Sequence, residues 1–96
     1  MQVLALLRRR TEKFSDEQFA PLLEPEAQAV RALYAEGTIR AMWSRDDAPG
    51  AAVLLEAAGV QEARGVVETL PLMRARMLEI EQIIPLRGYR GFAPRS

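Results

Sequence analysis

Three observations on this sequence predict an α+β domain. Short apolar runs of strand length and longer stretches with apolar residues at helical spacing follow one another in the order β-α-β-β-α-β. Glycine and proline clusters punctuate those stretches. The chain has 96 residues, enough for one domain with a thin core and too few for two. The order implies a four-stranded antiparallel sheet with two helices on one face. The single domain spans 1–96, with a core over about 3–86 and a tail over 87–96.

Val3 to Arg9 reads as the first strand, because Val3-Leu4-Ala5-Leu6-Leu7 is a continuous apolar run suited to burial on both faces. Arg8, Arg9 and Arg10 would alternate between faces there. They read as a solvated strand end, with Arg8 or Arg10 available to turn toward a pocket. Ser15-Asp16-Glu17-Gln18 has the pattern of a helix start: Ser15 can cap, Gln18 can reach back, and the acids suit the positive helix terminus. Phe19, Leu22, Leu23, Val30, Leu33 and Tyr34 then form one apolar face. Pro25 is expected to break or kink this run, leaving a short first turn and a main helix from about Pro25 to Glu36. Gly37 is the expected terminator.

Thr38 to Arg45 reads as the second strand, with Ile39, Ala41 and Trp43 on one face and Arg40, Met42 and Ser44 on the other. Asp46-Asp47-Ala48-Pro49-Gly50 is a turn, and Ala51 to Ala57 the third strand, so the two make a hairpin. Val60, Ala63, Val67 and Leu70 mark a second amphipathic helix, which Pro71 should stop because it lacks an N–H. Met77 to Ile84 is the fourth strand. Residues 87–94 carry too much glycine and proline for regular structure. This is the ferredoxin-like βαββαβ order. Its two helices cover one sheet face, and strands one and three are apolar at nearly every position. The uncovered face is therefore expected to pair with a second copy.

Composition narrows the chemistry. Acids and bases balance at 13 each, without the basic surplus that nucleic-acid binding needs. Lys13 is the only lysine, so Schiff-base chemistry would rest on it alone. Cysteine is absent, which excludes disulfides, thiolate nucleophiles and cysteine metal sites and fits a reducing cytoplasm. Histidine is absent too, which excludes histidine general bases and histidine metal or haem ligation. Met1 to Leu7 is apolar, but arginines follow rather than precede it, the reverse of a secretory signal. No run approaches the ~18 apolar residues of a membrane span. A cytoplasmic protein without cofactor, metal, nucleic-acid or membrane partner is expected.

Several residues together resemble the muconolactone isomerase-like family. Gly37-Thr38-Ile39-Arg40-Ala41-Met42-Trp43 looks like the family's glycine-ended helix followed by a strand with a basic residue and a tryptophan. Glu56 falls where an acid closes the third strand. Glu62-Ala63-Arg64, Leu70-Pro71-Leu72 and Glu79-Ile80-Glu81 complete a match from about Val3 to Leu86. The basic segment from Met73 to Met77 and the tail Gly88-Tyr89-Arg90-Gly91-Phe92 depart from the pattern. The resemblance implies a ferredoxin-like fold, dimers whose sheets form an α/β barrel, in some members larger rings, and a 1,3-proton shift on a muconolactone-like substrate.

The candidate site residues each have a plainer reading. Arg40 could hold a substrate carboxylate and Trp43 could wall an apolar ring; otherwise Arg40 is solvated and Trp43 is core. Glu56, Glu79 and Glu81 are the candidate proton-transfer groups near strand ends; otherwise they are carboxylates bonded to arginines. Tyr34 and Arg8 could line a pocket, with core and solvent as the plainer places. Tyr89 and Phe92 could lie over a neighbouring subunit. The leading expectation is a small cofactor-free enzyme moving a proton on an anionic or aromatic-derived metabolite. The alternatives are a cofactor-free oxygenase or cyclase of the same barrel superfamily and a non-catalytic ligand-binding or assembly protein.

Overall fold

A computed structural model describes residues 1–92. Its elements are β1 (Gln2–Arg9), α1 (Asp16–Ala35), β2 (Ile39–Ser44), β3 (Gly50–Glu56), α2 (Val60–Val67), α3 (Pro71–Arg74) and β4 (Leu78–Pro85). The strands form one antiparallel sheet in the order β2-β3-β1-β4. This is the ferredoxin-like arrangement that the element order predicts. A single 3₁₀ turn, Arg90–Phe92, follows. The end of the expected tail, 93–96, lies outside the described residues. Among the described residues, no helix is long and apolar enough to cross a membrane.

The pleat divides β1 cleanly. Val3, Ala5 and Leu7 are buried against the helices, while Leu4 and Leu6 are only half-buried on the opposite face. The expectation of burial on both faces therefore fails within one chain, because none of the described elements covers the second face. Val53 and Leu55 of β3 join Phe19, Ile39, Val67, Leu70 and Leu72 in the core. Full burial of a side chain such as Leu7 or Leu55 contributes about 1.5–3 kcal/mol each.

Helix α1 begins as its sequence suggests. The Ser15 hydroxyl accepts from the Gln18 N–H at 3.3 Å, and the Gln18 side chain accepts from the Ser15 N–H at 2.8 Å. Its end is also as expected. Gly37 has φ +86°, and the bonds Gly37 N–H to Tyr34 O and Thr38 N–H to Leu33 O form a Schellman motif. Between these ends the helix is continuous, contrary to the break expected at Pro25. Pro21 and Pro25 are spaced i, i+4 and both are exposed, so the carbonyls they leave unpaired face solvent. Two positions on the expected apolar face are displaced: Leu23 and Tyr34 are exposed, Tyr34 at 62%.

The second helical region also differs. α2 ends at Val67, before Pro71, and Pro71 opens the separate turn α3 at its first position. Proline suits that position because the first N–H of a helix has no partner within it. α3 closes with Arg76 in the left-handed region at φ +61°. Arg76 N–H bonds Met73 O and Met77 N–H bonds Leu72 O, the same closure as at Gly37 but without glycine.

Bulges interrupt two strand pairs. In β2 the register passes from Ile39 opposite Leu55 to Ala41 opposite Leu54, so Arg40 is an extra residue. Ile39 and Met42 consequently pack with the core, and Trp43 lies opposite Ala52 on the other face. The expected grouping of Ile39 with Trp43 is corrected by this one insertion. In β4 the shift falls at Glu81, between Ile80 opposite Leu7 and Gln82 opposite Leu6.

Candidate functional site

The carboxylates expected to move protons are each held in an ion pair. Glu56 lies 2.8 Å from the N-terminal ammonium, which lowers its pKa from the usual 4.5. Arg40 is exposed and adds a weaker pull on Glu56. Glu79 accepts from Arg8 Nε at 2.7 Å. Glu81 pairs with Arg45 and lies 4.0 Å from Arg8. Arg8 also forms two bonds to Glu12, both 3.0 Å, and these hold the Glu12 carboxyl at about 2. Arg45 is bound to Asp47 as well. Glu79 and Glu81 both lie within 4.0 Å of Arg8, with Glu81 brought there by the bulge. They belong to a network of alternating charge at one end of the open sheet face. Arg8 is committed to that network.

Arg40, Tyr34 and Trp43 do not share a depression. Arg40 and Tyr34 border a shallow hollow at the C-terminal end of α1, with Glu36 and Gly37. Trp43, 55% exposed, stands on the edge strand and borders a different groove between α1 and β2. Tyr89 and Phe92 pack edge to face with ring centres 5.0 Å apart, yet are 71% and 86% exposed.

The groove between α1 and β2 holds two polar residues that the sequence reading passed over. It has a volume of about 510 Å³ and is bordered by Arg9, Glu26, Val30, Met42 and Trp43, among others. Arg9 has the strand parity of Val3, Ala5 and Leu7, so it faces the helices. Its guanidinium lies 5.3 Å from the centre of the Phe19 ring. Among the described residues it makes no ion pair and donates no side-chain hydrogen bond. Glu26 follows Phe19 by seven residues and precedes Leu33 by seven, so it occupies the inward stripe of α1. It is 9% exposed and is the one buried charged residue described.

Glu26 Oε1 accepts from the backbone N–H of Leu72 at 2.9 Å. Leu70, the residue before α3, offers no capping side chain, and Pro71 has no N–H. Glu26 therefore caps α3 from a distant part of the chain. Burial raises its pKa from 4.5, and the Leu72 bond and the positive charge of Arg9 offset part of that rise. Arg31, at the groove's rim, is already paired with Glu24. The result is a partly desolvated carboxyl facing an uncommitted guanidinium across an apolar-walled groove. Both residues were visible as polar positions in otherwise apolar periodicities, Glu26 at helical spacing and Arg9 at strand spacing.

A scan of family models and a search of curated proteins find no match to this chain.

Proposed function

We propose that the chain is a small cofactor-free enzyme resembling muconolactone isomerases in reaction type, moving a proton on a small anionic or aromatic-derived metabolite. The groove between α1 and β2 is its site. The carrying observation is Glu26, a buried carboxyl with a raised pKa beside an unpaired arginine. A carboxyl whose pKa burial raises is less firmly held in its charged form and can return a proton as well as take one, whereas Glu56 and Glu12 are held as carboxylates by their cationic partners. Arg9 replaces Arg40 as the anion-binding group because it borders this groove. Met42 and Val30 supply walls for an apolar body, with Trp43 of the edge strand at the rim. The absence of cysteine fits action in a reducing cytoplasm.

The test is solvent exchange. A panel of carboxylate-bearing lactones and aromatic acids is incubated with the protein in deuterium oxide and followed by proton NMR. Loss of a ligand C–H signal, abolished by Glu26→Gln, is the expected result. Acids that bind without exchange would favour a second reading, a non-catalytic ligand-binding protein. That reading has its own support: the bond to Leu72 gives Glu26 a structural reason to be buried.

Assembly is part of the proposal. Leu4, Leu6, Ala52 and Leu54 lie on the sheet face away from the helices, with Trp43 and Ile84 at its margins. A contiguous apolar patch of this kind is covered in a stable protein. A second copy, sheet against sheet, is the occupant we propose, giving a homodimer or a larger ring.

A further inference from the structure

We propose that the groove takes up a small carboxylic acid together with one proton: the ligand carboxylate rests on Arg9, and Glu26 is protonated in the complex and donates to the ligand. This rests on the anion-binding reading of the groove given above and adds a thermodynamic linkage to it. The reasoning begins with charge. In the free protein the groove is bordered by two arginines, Arg9 and Arg31, and one acid, Glu26; Glu24 neutralises Arg31, which leaves Arg9 as the cation without an ion pair among the described residues. From other packed elements, among the described residues, only Arg9 of β1 and the Leu72 N–H of α3 act on Glu26, and Arg31 on its own helix is paired with Glu24. Ser44 at the rim is neutral. A bound carboxylate would leave two anions against one guanidinium in a partly desolvated space. Like charges at short range drive one carboxyl to keep its proton.

Glu26 is the group placed to keep it. One of its oxygens is held by Leu72, which fixes the carboxyl in orientation. The residue borders the groove, so its second oxygen can carry a proton toward a ligand there. Arg9 is free to take an anion because its half-buried guanidinium has no bonded partner among the described residues. The apolar walls select a carboxylate with a hydrophobic body over an inorganic anion.

The probe is benzoate, titrated into the full-length protein by calorimetry in phosphate and in Tris, whose ionisation enthalpies differ. Benzamide, of the same shape and uncharged, is the control. The expected result is benzoate binding with net uptake of close to one proton. Affinity should fall about tenfold per pH unit above the Glu26 pKa, a readout that needs no variant. Glu26→Gln should bind benzoate with no proton uptake, its amide standing in for the protonated acid. Arg9→Met should bind benzoate no better than benzamide. Binding without proton uptake, or uptake that persists in Glu26→Gln, would overturn the linkage and leave the anion groove standing. Absence of benzoate binding at any pH would overturn both.

Discussion

Glu26 is the residue at which stability and the proposed chemistry meet. Glu26→Ala leaves the buried Leu72 N–H without an acceptor and should cost about 1–3 kcal/mol, whereas Glu26→Gln retains an acceptor oxygen and should cost less. Denaturant titration of both variants checks the ordering. The pH dependence has a defined sign. Because the folded state raises this pKa above 4.5, the folded state binds the proton more tightly than the unfolded chain. The contribution of Glu26 is fully present below 4.5 and is lost as pH rises through the folded pKa. Glu56 acts oppositely: its lowered pKa adds stability above 4.5 that is lost as pH falls. Glu26→Gln should therefore flatten the loss of stability as pH rises from 4.5 through the folded pKa, and leave the profile below 4.5 unchanged. At Arg76, a left-handed backbone is imposed on a residue with a Cβ. Arg76→Gly should stabilise the protein by about 1 kcal/mol, read as a rise in the denaturation midpoint.

At the scale of elements, α1 is the clearest case of tertiary contacts overruling local preference. Its inward stripe of Phe19, Leu22, Glu26, Val30 and Leu33 needs the whole helix to dock, and its prolines fall on the outside. Proline in a helix interior costs about 3 kcal/mol against alanine, and its stiffening of the unfolded chain returns about 0.4–1 kcal/mol. Pro25→Ala should thus raise stability by roughly 2 kcal/mol with helix content preserved. Unchanged or lowered stability would mean that the proline ring packs productively where it is. Gly50 sets a limit at the hairpin. A Cβ there would meet the Leu7 carbonyl oxygen of the neighbouring strand, so the strand end accepts only glycine at that point.

For the molecule as a whole, the uncovered sheet face has the largest consequence. Leu4, Leu6 and Leu54 together offer an apolar patch flanked at one end by the Arg8, Glu79, Glu81 and Arg45 network. Charged groups at the rim of an apolar patch favour one register of association over others. Light scattering should report a homodimer at micromolar concentration. Leu54→Glu should give a folded monomer with an unchanged circular dichroism spectrum, because Leu54 lies outside the buried core. A wild-type monomer at that concentration would remove the basis for the barrel assembly.

The order of elements, the capping box at Ser15 and Gln18 and the glycine closure at Gly37 were legible in the sequence, because each depends on neighbours within a few residues. The placement of Arg40 and Glu81 was not. A β-bulge is a property of two paired strands, and a single inserted residue reassigns every face beyond it. The two prolines of α1 misled for a related reason: their cost is local, and the burial that outweighs it comes from strands elsewhere in the chain. Glu26 stood in plain view within an apolar helical stripe, yet its partner Leu72 is 46 residues away. Local sequence determined which segments are strands and helices. Only the packing of α1 against β2 and α3 decided that a glutamate, an arginine and an apolar wall would share one groove.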